Sequence, residues 1–343
     1  MAIVHGVPLL ALIGLSLCAQ ASDGPYRMTD RLPVGGDGGW DYPSVDPTTH
    51  LLYLSRASHV TIVDTGNGRI VGEIPDTPGV HGVALAPDMN RGFIACGQAN
   101  VVKVFELTSR KVLASVPTGD GPDAIVYEPV TRRVFAFNGR GRSATVIDAA
   151  TNTVVATISL AGRPEAAGED LRGNVFVNVE DTAELAQIDA RSTSLKARWP
   201  LPKCENPSGL ALDAAHHRGF STCRNQVLDV TNLDSGQSVA SVPIGQGVDG
   251  AEFDPATQDV FSANGEGSIT VVHELGPDRY TVVQTLSTQR GARTIALDPA
   301  THRLYLPTAQ LNPPASATAE NPHPRPTPIP GTFVVLVVVA GAK

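Results

Sequence analysis

Charge is scarce in this sequence. Only 17 % of its 343 residues are Asp, Glu, Lys or Arg, and acidic side chains lead by a formal net charge of −8. An acidic surface repels phosphate backbones, so nucleic acid is not an expected partner. Aromatic residues are also few, at 5 %. Any core must therefore be mostly aliphatic, and the 42 % of apolar residues are ample for one. No apolar run is long enough to cross a bilayer as a helix. The motifs His-Glu-x-x-His, Cys-x-x-Cys and Gly-x-Ser-x-Gly do not occur. Their absence removes zincin-type proteolysis, the Cys-x-x-Cys redox motif and the nucleophile elbow of the α/β-hydrolases. Gly139-Arg140-Gly141-Arg142-Ser143-Ala144 matches a dinucleotide fingerprint in letters only. It stands between two strands, with no helix to receive a phosphate.

A compact apolar stretch, Val7 to Ala19, lies at the N-terminus. Ala19-Gln20-Ala21 follows as a small-x-small cleavage pattern, so residues 1–21 read as a signal peptide. The expected product is exported, periplasmic or secreted, with no membrane span after cleavage. Removing Cys18 leaves Cys96, Cys204 and Cys223. An oxidising compartment permits a disulfide among them.

Glycine (33) and proline (27) are plentiful, which points to many turns and short strands. They are arranged periodically. An apolar strand ends in an acidic turn at Asp46-Pro47, Glu128-Pro129, Asp254-Pro255 and Asp298-Pro299. Ala86-Pro87-Asp88, Asp170 and Asp213 keep the phase, and successive steps from position 46 are 40, 42, 42, 43, 41 and 44 residues. Each unit then repeats one grammar: a second strand, a tight turn (Asn138-Gly139, Asn264-Gly265), a β-branched third strand, a polar turn and a fourth strand. Four antiparallel strands per forty-odd residues make one propeller blade, and seven units make a ring. The expected fold is all-β, a single seven-bladed β-propeller over residues 22–343. Its expected blades are 38–79, 80–121, 122–163, 164–206, 207–247, 248–291 and 292–343. The last unit lacks a fourth strand. Leu32-Pro33-Val34-Gly35 matches Val116-Pro117-Thr118-Gly119 and Val242-Pro243-Ile244-Gly245, which end fourth strands elsewhere. Residues 26–35, with a strand over Tyr26–Val34, are therefore expected to complete the last blade and remove a free sheet edge.

Phe135-Ala136-Phe137-Asn138 and Phe261-Ser262-Ala263-Asn264 end second strands, with a shorter form at Phe176-Val177-Asn178. With the acidic-Pro turns and the Asp-x-x-Thr/Ser turns (Asp148 to Thr151, Asp189 to Ser192), they resemble the YVTN-type propeller repeat family, which includes YncE-like exported bacterial proteins. The resemblance covers the mature chain. It implies a scaffold that binds small molecules or proteins, with few assigned reactions. Related propellers include sugar lactonases and proteins tied to haem d1 maturation.

In such a ring the loops from fourth to first strand, and from second to third, share the face around the channel. Five residues before each acidic turn stand Asp41, His81, Asp123, Glu165, Ser208, Asp249 and Arg293. The second-to-third-strand loops add Arg56, Gln98, Arg140, Arg142, Glu180, Arg224, Asn225 and Glu266. This carboxylate-rich rim suits a small polar ligand or protein partner on the channel face of a monomer. Several carboxylates beside one imidazole would also suit a divalent metal. A lactonase-like or other metal-assisted hydrolase is the alternative to a binding scaffold. A bland reading stands beside both: channel mouths are wet, and polar residues there solvate the rim. Cys204 and Cys223 belong to two loops of one blade on that face. A disulfide is expected there, with a redox or metal-binding thiol pair as the rival. Cys96 reads as a small buried apolar residue, and His216-His217 as a solvated turn on the opposite face. Residues 312–330 carry seven prolines and are expected as an extended loop inserted in the last blade. That loop reads either as a lid or docking arm, or as a tolerated insertion.

Overall fold

The computed structural model describes residues 24–316, 318 and 324–341. The signal-peptide segment, Cys18 and His323 lie outside the described residues. Seven four-stranded antiparallel sheets stand in a ring. Six are continuous in sequence and span residues 43–74, 80–117, 122–159, 164–200, 207–243 and 248–287. We call these blades 1 to 6. Blade 7 combines Ala296–Asp298, Arg303–Thr308 and Val334–Ala340 with the N-terminal strand Tyr26–Pro33 as its outer edge.

Burial follows position within a blade. The middle strands are covered on both faces: Arg133–Asn138 and Ser143–Asp148 are almost wholly buried. The outer strand Thr153–Ser159 is mostly exposed. Both faces of a middle strand meet neighbouring blades, so the core is divided into seams. Phe135, Phe137 and Val146 of blade 3 pack with Val175, Val177 and Ile188 of blade 4. Apolar burial supplies the main stabilisation, roughly 25 cal/mol per Å² removed from water, and aliphatic β-branched side chains fill these flat seams well.

Outside blade 2, whose Asp88 is exposed, the acidic turns are buried caps. Asp46 accepts the Thr48 amide at 2.9 Å and the Thr49 hydroxyl at 2.7 Å. Glu128 does the same for Val130 and Thr131. The carboxylate satisfies donors that the turn would otherwise bury unpaired.

Ring closure follows the expected route. Tyr26–Pro33 pairs antiparallel with Val334–Ala340, from Tyr26 opposite Ala340 to Pro33 opposite Val334. The Tyr26 hydroxyl donates to Asp259 Oδ2 at 2.7 Å, and its ring meets Phe261 edge-on at 5.0 Å. Gln284 grips the Tyr26 backbone from both sides: its carbonyl oxygen accepts the amide at 2.9 Å and its NH2 donates to the carbonyl at 2.8 Å. At the other face of blade 7, His50 Nδ1 lies 3.1 Å from the buried Asp298 Oδ2, linking the first blade to the last.

Candidate functional site at the channel mouth

A repeated irregularity of the innermost strand positions the rim residues. In blades 2 to 6 the register slips between Val80 and Val83, Pro122 and Ile125, Pro164 and Ala167, Pro207 and Leu210, and Val248 and Gly250. His81, Asp123, Glu165, Ser208 and Asp249 fall inside these slips. A bulge bends its strand and re-aims side chains, and here it sits at the channel end of every such strand. The next residue is small in each case, Gly82, Ala124, Ala166, Gly209 and Gly250, and these line the channel. A Cβ at Gly209 would stand 2.8 Å from the Ala251 amide nitrogen, so blade 5 can approach blade 6 only with glycine there.

The rim side chains interact across blades. His81 Nδ1 is 2.6 Å from Asp41 Oδ2 and 3.5 Å from Asp123 Oδ1. Burial opposes a charge on His81, but the Asp41 hydrogen bond and the Asp123 charge outweigh it and raise the imidazole to about 9. Burial also pushes the carboxyls up. Asp41 is raised, with Asp249 adding to the burial effect and His81 opposing it. Asp123 rises to about 6, and Glu165, repelled further by Asp123 and Asp249, to about 8. Glu165 is 7 % exposed, and its Oε2 accepts no hydrogen bond. The nearest cation, Arg163, stands 3.7 Å from that oxygen. Asp249 is better served: Arg293 Nε lies 2.7 Å from Oδ2, and Ser208 donates to Oδ1 at 2.8 Å. Asp41, His81 and Asp123 offer ligand atoms all within 4.8 Å of one another. A carboxylate–imidazole–carboxylate set fits a divalent ion in donor type.

The second-to-third-strand residues behave differently from the inner ring. Arg56 ends its strand rather than occupying a loop, and it is 2 % exposed. Its guanidinium donates to the carbonyls of Gly35, Asp37 and Gly39 and packs 3.7 Å over the Phe333 ring. It pins the chain entering blade 1. Arg140 pairs with Asp120 and donates to the Gly97 carbonyl, and Arg142 pairs with Asp181 at 2.9 Å. Glu180 receives Arg163 at 3.1 Å and Arg224 at 3.0 Å. Asn225 ties down the preceding loop through the Glu205 amide and the Lys203 carbonyl. Gln98 and Glu266 are exposed, with Glu266 accepting from Ser268. The structure thus gathers Asp41, His81, Asp123, Glu165, Asp249 and Arg293. It leaves Arg56, Gln98, Arg140 and Glu266 apart from that group.

A cavity of about 570 Å³ opens beside the ring, lined by Trp40, Arg224, Asp249, Arg293, Arg325 and Pro328 among others. The proline-rich segment forms part of its wall. Asn312 and Ile329 amides donate to Thr327 and Gln310 carbonyls, so the two ends of the segment meet in a short ladder beside the mouth.

Several contributors were missed by sequence reasoning, Arg325 of the cavity wall among them. Arg163 holds Glu165 and Glu180 but precedes the ring position by two residues, and no motif marks it. Tyr42 and Glu252 did carry a signal. Both line the channel, at repeat positions where other blades place Gly82 or Ala124, and Ala84 or Gly168. Burial first, and then Asp249, Glu165, Asp41 and Asp123, push the Tyr42 hydroxyl well up. Glu252 is driven to about 8 by burial, against one Leu297 amide.

Cys204 and Cys223 form a disulfide with Cα atoms 5.3 Å apart. Cys96 is free and buried, and burial raises its thiol to about 11, which keeps it unreactive.

No family model matches the chain, and no curated protein matches it in sequence. Solved structures match in fold. Hydrazine synthase of Kuenenia stuttgartiensis superposes with a TM-score of 0.68 at 15 % identity, covering 85 % of this chain and 96 % of that one. The RRP9 WD40 repeats give 0.75 at 12 % identity, covering 93 % and 100 %. U3-55K gives 0.73 at 12 % identity, covering 91 % and 98 %. This chain is similar to them as a propeller, and at such identities the likeness is one of fold alone.

Proposed function

We propose that this chain is an exported, monomeric binding propeller of the YVTN type, whose channel mouth takes a small ligand carrying charges of both signs. One observation carries the reading: the mouth has two unlike sides. Asp41, Asp123 and Glu165 crowd desolvated carboxyls on one arc, and Arg224, Arg293 and Arg325 line the cavity on the other. Arg224 and Arg293 already hold carboxylates. Arg325 is exposed and has no ion-pair partner among the described residues. With the raised His81 imidazole already between Asp41 and Asp123, a ligand ammonium would relieve the repulsion that Asp123 and Asp249 exert on Glu165, and a ligand carboxylate would meet Arg325, with Trp40 as an apolar wall. Such few, convergent polar groups in a concave mouth are what ligand sites use. The disulfide and the leader-like residues 1–21 support export. Among the described residues no helix is long and apolar enough to cross a membrane.

A melting screen of amino acids, betaines, simple amines and dicarboxylates, followed by calorimetric titration of the hits, tests this reading. Zwitterions should bind best. Asp123→Asn and Arg325→Ala should each weaken binding at least ~10-fold, about 1.4 kcal/mol. Equal binding of plain dicarboxylates, untouched by Asp123→Asn, would refute it.

A metal-assisted hydrolase is the second reading, favoured by the closeness of Asp41, His81 and Asp123. A bound divalent ion would supply an activated water. Glu165, raised to about 8, would then hold a proton near neutral pH for a leaving group. Metal-dependent turnover of lactones or phosphate esters, lost in Asp123→Asn and Asp249→Asn, is its expected signature. No turnover with any divalent ion removes it.

A further inference from the structure

The turn region where blades 5 and 6 meet, opposite the channel mouth, departs from the repeat at two positions, and the two departures touch. The first is at the end of the third strand. In blades 1 to 6 one amide there donates to the carbonyl of the left-handed turn residue: Thr65 to His50, Leu107 to Asn90, Ala149 to Arg132, Ala190 to Gly173, Leu233 to His217 and Glu274 to Gln258. That bond identifies the equivalent positions. Five blades place a threonine or an apolar residue there, against the preceding blade. Blade 6 places Glu274, a carboxylate whose side chain is 1 % exposed.

The second departure is in the acidic turn of blade 5. In blades 1, 3 and 7 a threonine three residues after the acidic residue donates its hydroxyl to it: Thr49 to Asp46, Thr131 to Glu128 and Thr301 to Asp298. Blade 5 has His216 instead. Its Nδ1 lies 2.6 Å from Asp213 Oδ2 and 3.3 Å from Glu274 Oε1. The histidine pair is therefore not simply solvated: His216 bridges two buried carboxylates, and His217 pairs with Asp234 at 2.8 Å.

The chemistry of Glu274 is incomplete as it stands. Both of its oxygens are buried, and neither accepts a hydrogen bond. A buried carboxylate that accepts no hydrogen bond, with only the half-exposed His216 beside it at 3.3 Å, is costly. Its natural complements are a proton shared with Asp213 or a cation. The donors favour a cation. Asp213, His216 and Glu274 each offer one ligand atom, and the three lie within 4.8 Å of one another. Ligand bonds of about 2.0–2.2 Å ask for donor separations of roughly 3–3.5 Å, so small rotations seat all three. Asp213 is already oriented, because its Oδ1 accepts the Ala215 amide at 2.9 Å and the His216 amide at 3.2 Å. The His216 side chain is 39 % exposed, which leaves an entry path and a position for water.

We propose that Asp213, His216 and Glu274 form a divalent-metal site, of the zinc type in donor set, that staples blade 5 to blade 6. The site is independent of the channel mouth. Two carboxylates and one imidazole suit a borderline first-row ion, and binding would displace the proton held between His216 and Asp213.

Zinc chloride titrated into the chelator-treated full chain tests this, read by calorimetry and thermal melting. The expected result is a seam site in addition to any site at the mouth, with a melting temperature that climbs with zinc concentration. Loss of an outer-shell partner typically costs 10–100-fold in metal affinity, so removing a direct ligand should cost at least ~100-fold. Glu274→Gln keeps the packing volume, and His216→Asn provides a second variant should the first fail to fold. Each should abolish the seam site, while His81→Gln leaves it intact. Cobalt substitution should give visible d–d absorption that Glu274→Gln removes. Two results would overturn the proposal: no zinc-dependent stabilisation at 100-fold molar excess, or zinc binding in the His81→Gln background that survives addition of either Glu274→Gln or His216→Asn.

Discussion

Replacing Glu252 with glutamine should stabilise the propeller, by an amount that depends on pH in a calculable way. Glu252 lines the channel, and burial raises its carboxyl from 4.5 to about 8. Below about pH 4.5 the group is neutral in the folded and unfolded chains alike and has no effect. As pH rises the unfolded chain ionises first, while the folded chain stays protonated up to about pH 8. The folded state thus binds the extra proton, so stability falls through this window and stays low above it. At about 1.4 kcal/mol per pH unit the full displacement is worth roughly 5 kcal/mol. The side chain is only partly shielded from solvent, and screening reduces this to roughly 2–3 kcal/mol. Glutamine keeps the shape and cannot ionise. Glu252→Gln should therefore match the parent near pH 4.5 and exceed it by roughly 2–3 kcal/mol at pH 9. Urea unfolding of both proteins from pH 4.5 to 9 measures this. Glu165 and Asp123 titrate in the same range, but their charges do not figure among the causes of the Glu252 shift, so subtracting the two curves isolates position 252. A difference that is flat across the range would refute the argument.

Deleting residues 22–35 should remove the outer strand of blade 7 and sharply lower the melting temperature, and an unchanged melt would contradict ring closure. Arg56→Ala should cost roughly 3–4 kcal/mol by freeing three carbonyls and one aromatic face, with Arg56→Lys restoring part of it, in chemical denaturation. Cys204→Ser with Cys223→Ser opens a loop of sequence separation 19 and should lose about 3 kcal/mol in the loop-entropy account, measured as the difference in urea midpoint. Tyr26→Phe removes the hydroxyl held by Asp259 and should cost about 1–2 kcal/mol, read from the same titration.

The scaffold was legible in the sequence because its rules are local and repeated. A turn every forty-odd residues, acidic at six of the seven phased positions and followed by proline at four of those six, fixes turn chemistry, strand count and phase together, and Leu32-Pro33-Val34-Gly35 copies the end of an ordinary fourth strand. The rim was half legible. Phase alone put Asp41, His81, Asp123, Glu165 and Asp249 on one opening, since each stands five residues before a turn. Pairing was not legible, because it is settled between blades: His81 reaches Asp41 on one side and Asp123 on the other, about forty residues away each way. Arg56 illustrates the opposite limit. It is a polar residue at a loop-like position, yet residues 35–39 fold back and consume its donors, and nothing local announces that. Tyr42, Glu252 and Glu274 were readable as deviations, each being the odd member of a column of equivalent residues. Deviations from a repeat are more informative about chemistry than the repeat itself, since the consensus positions are occupied by folding.

The joint blade has a consequence for how the molecule assembles. The hydrogen bonds that seat Tyr26 join residues 258 positions apart, and such long-range contacts form late and slowly. During synthesis the segment around Tyr26 emerges long before its partner strand at Val334–Ala340. For that whole interval the chain carries two unsatisfied edges, one early and one moving, each open to intermolecular pairing. Moving the chain break by circular permutation to the turn between blades 1 and 2, where Pro75 and Asp76 are exposed, would make blade 7 contiguous. Such a permutant should refold faster than the parent and aggregate less while doing so.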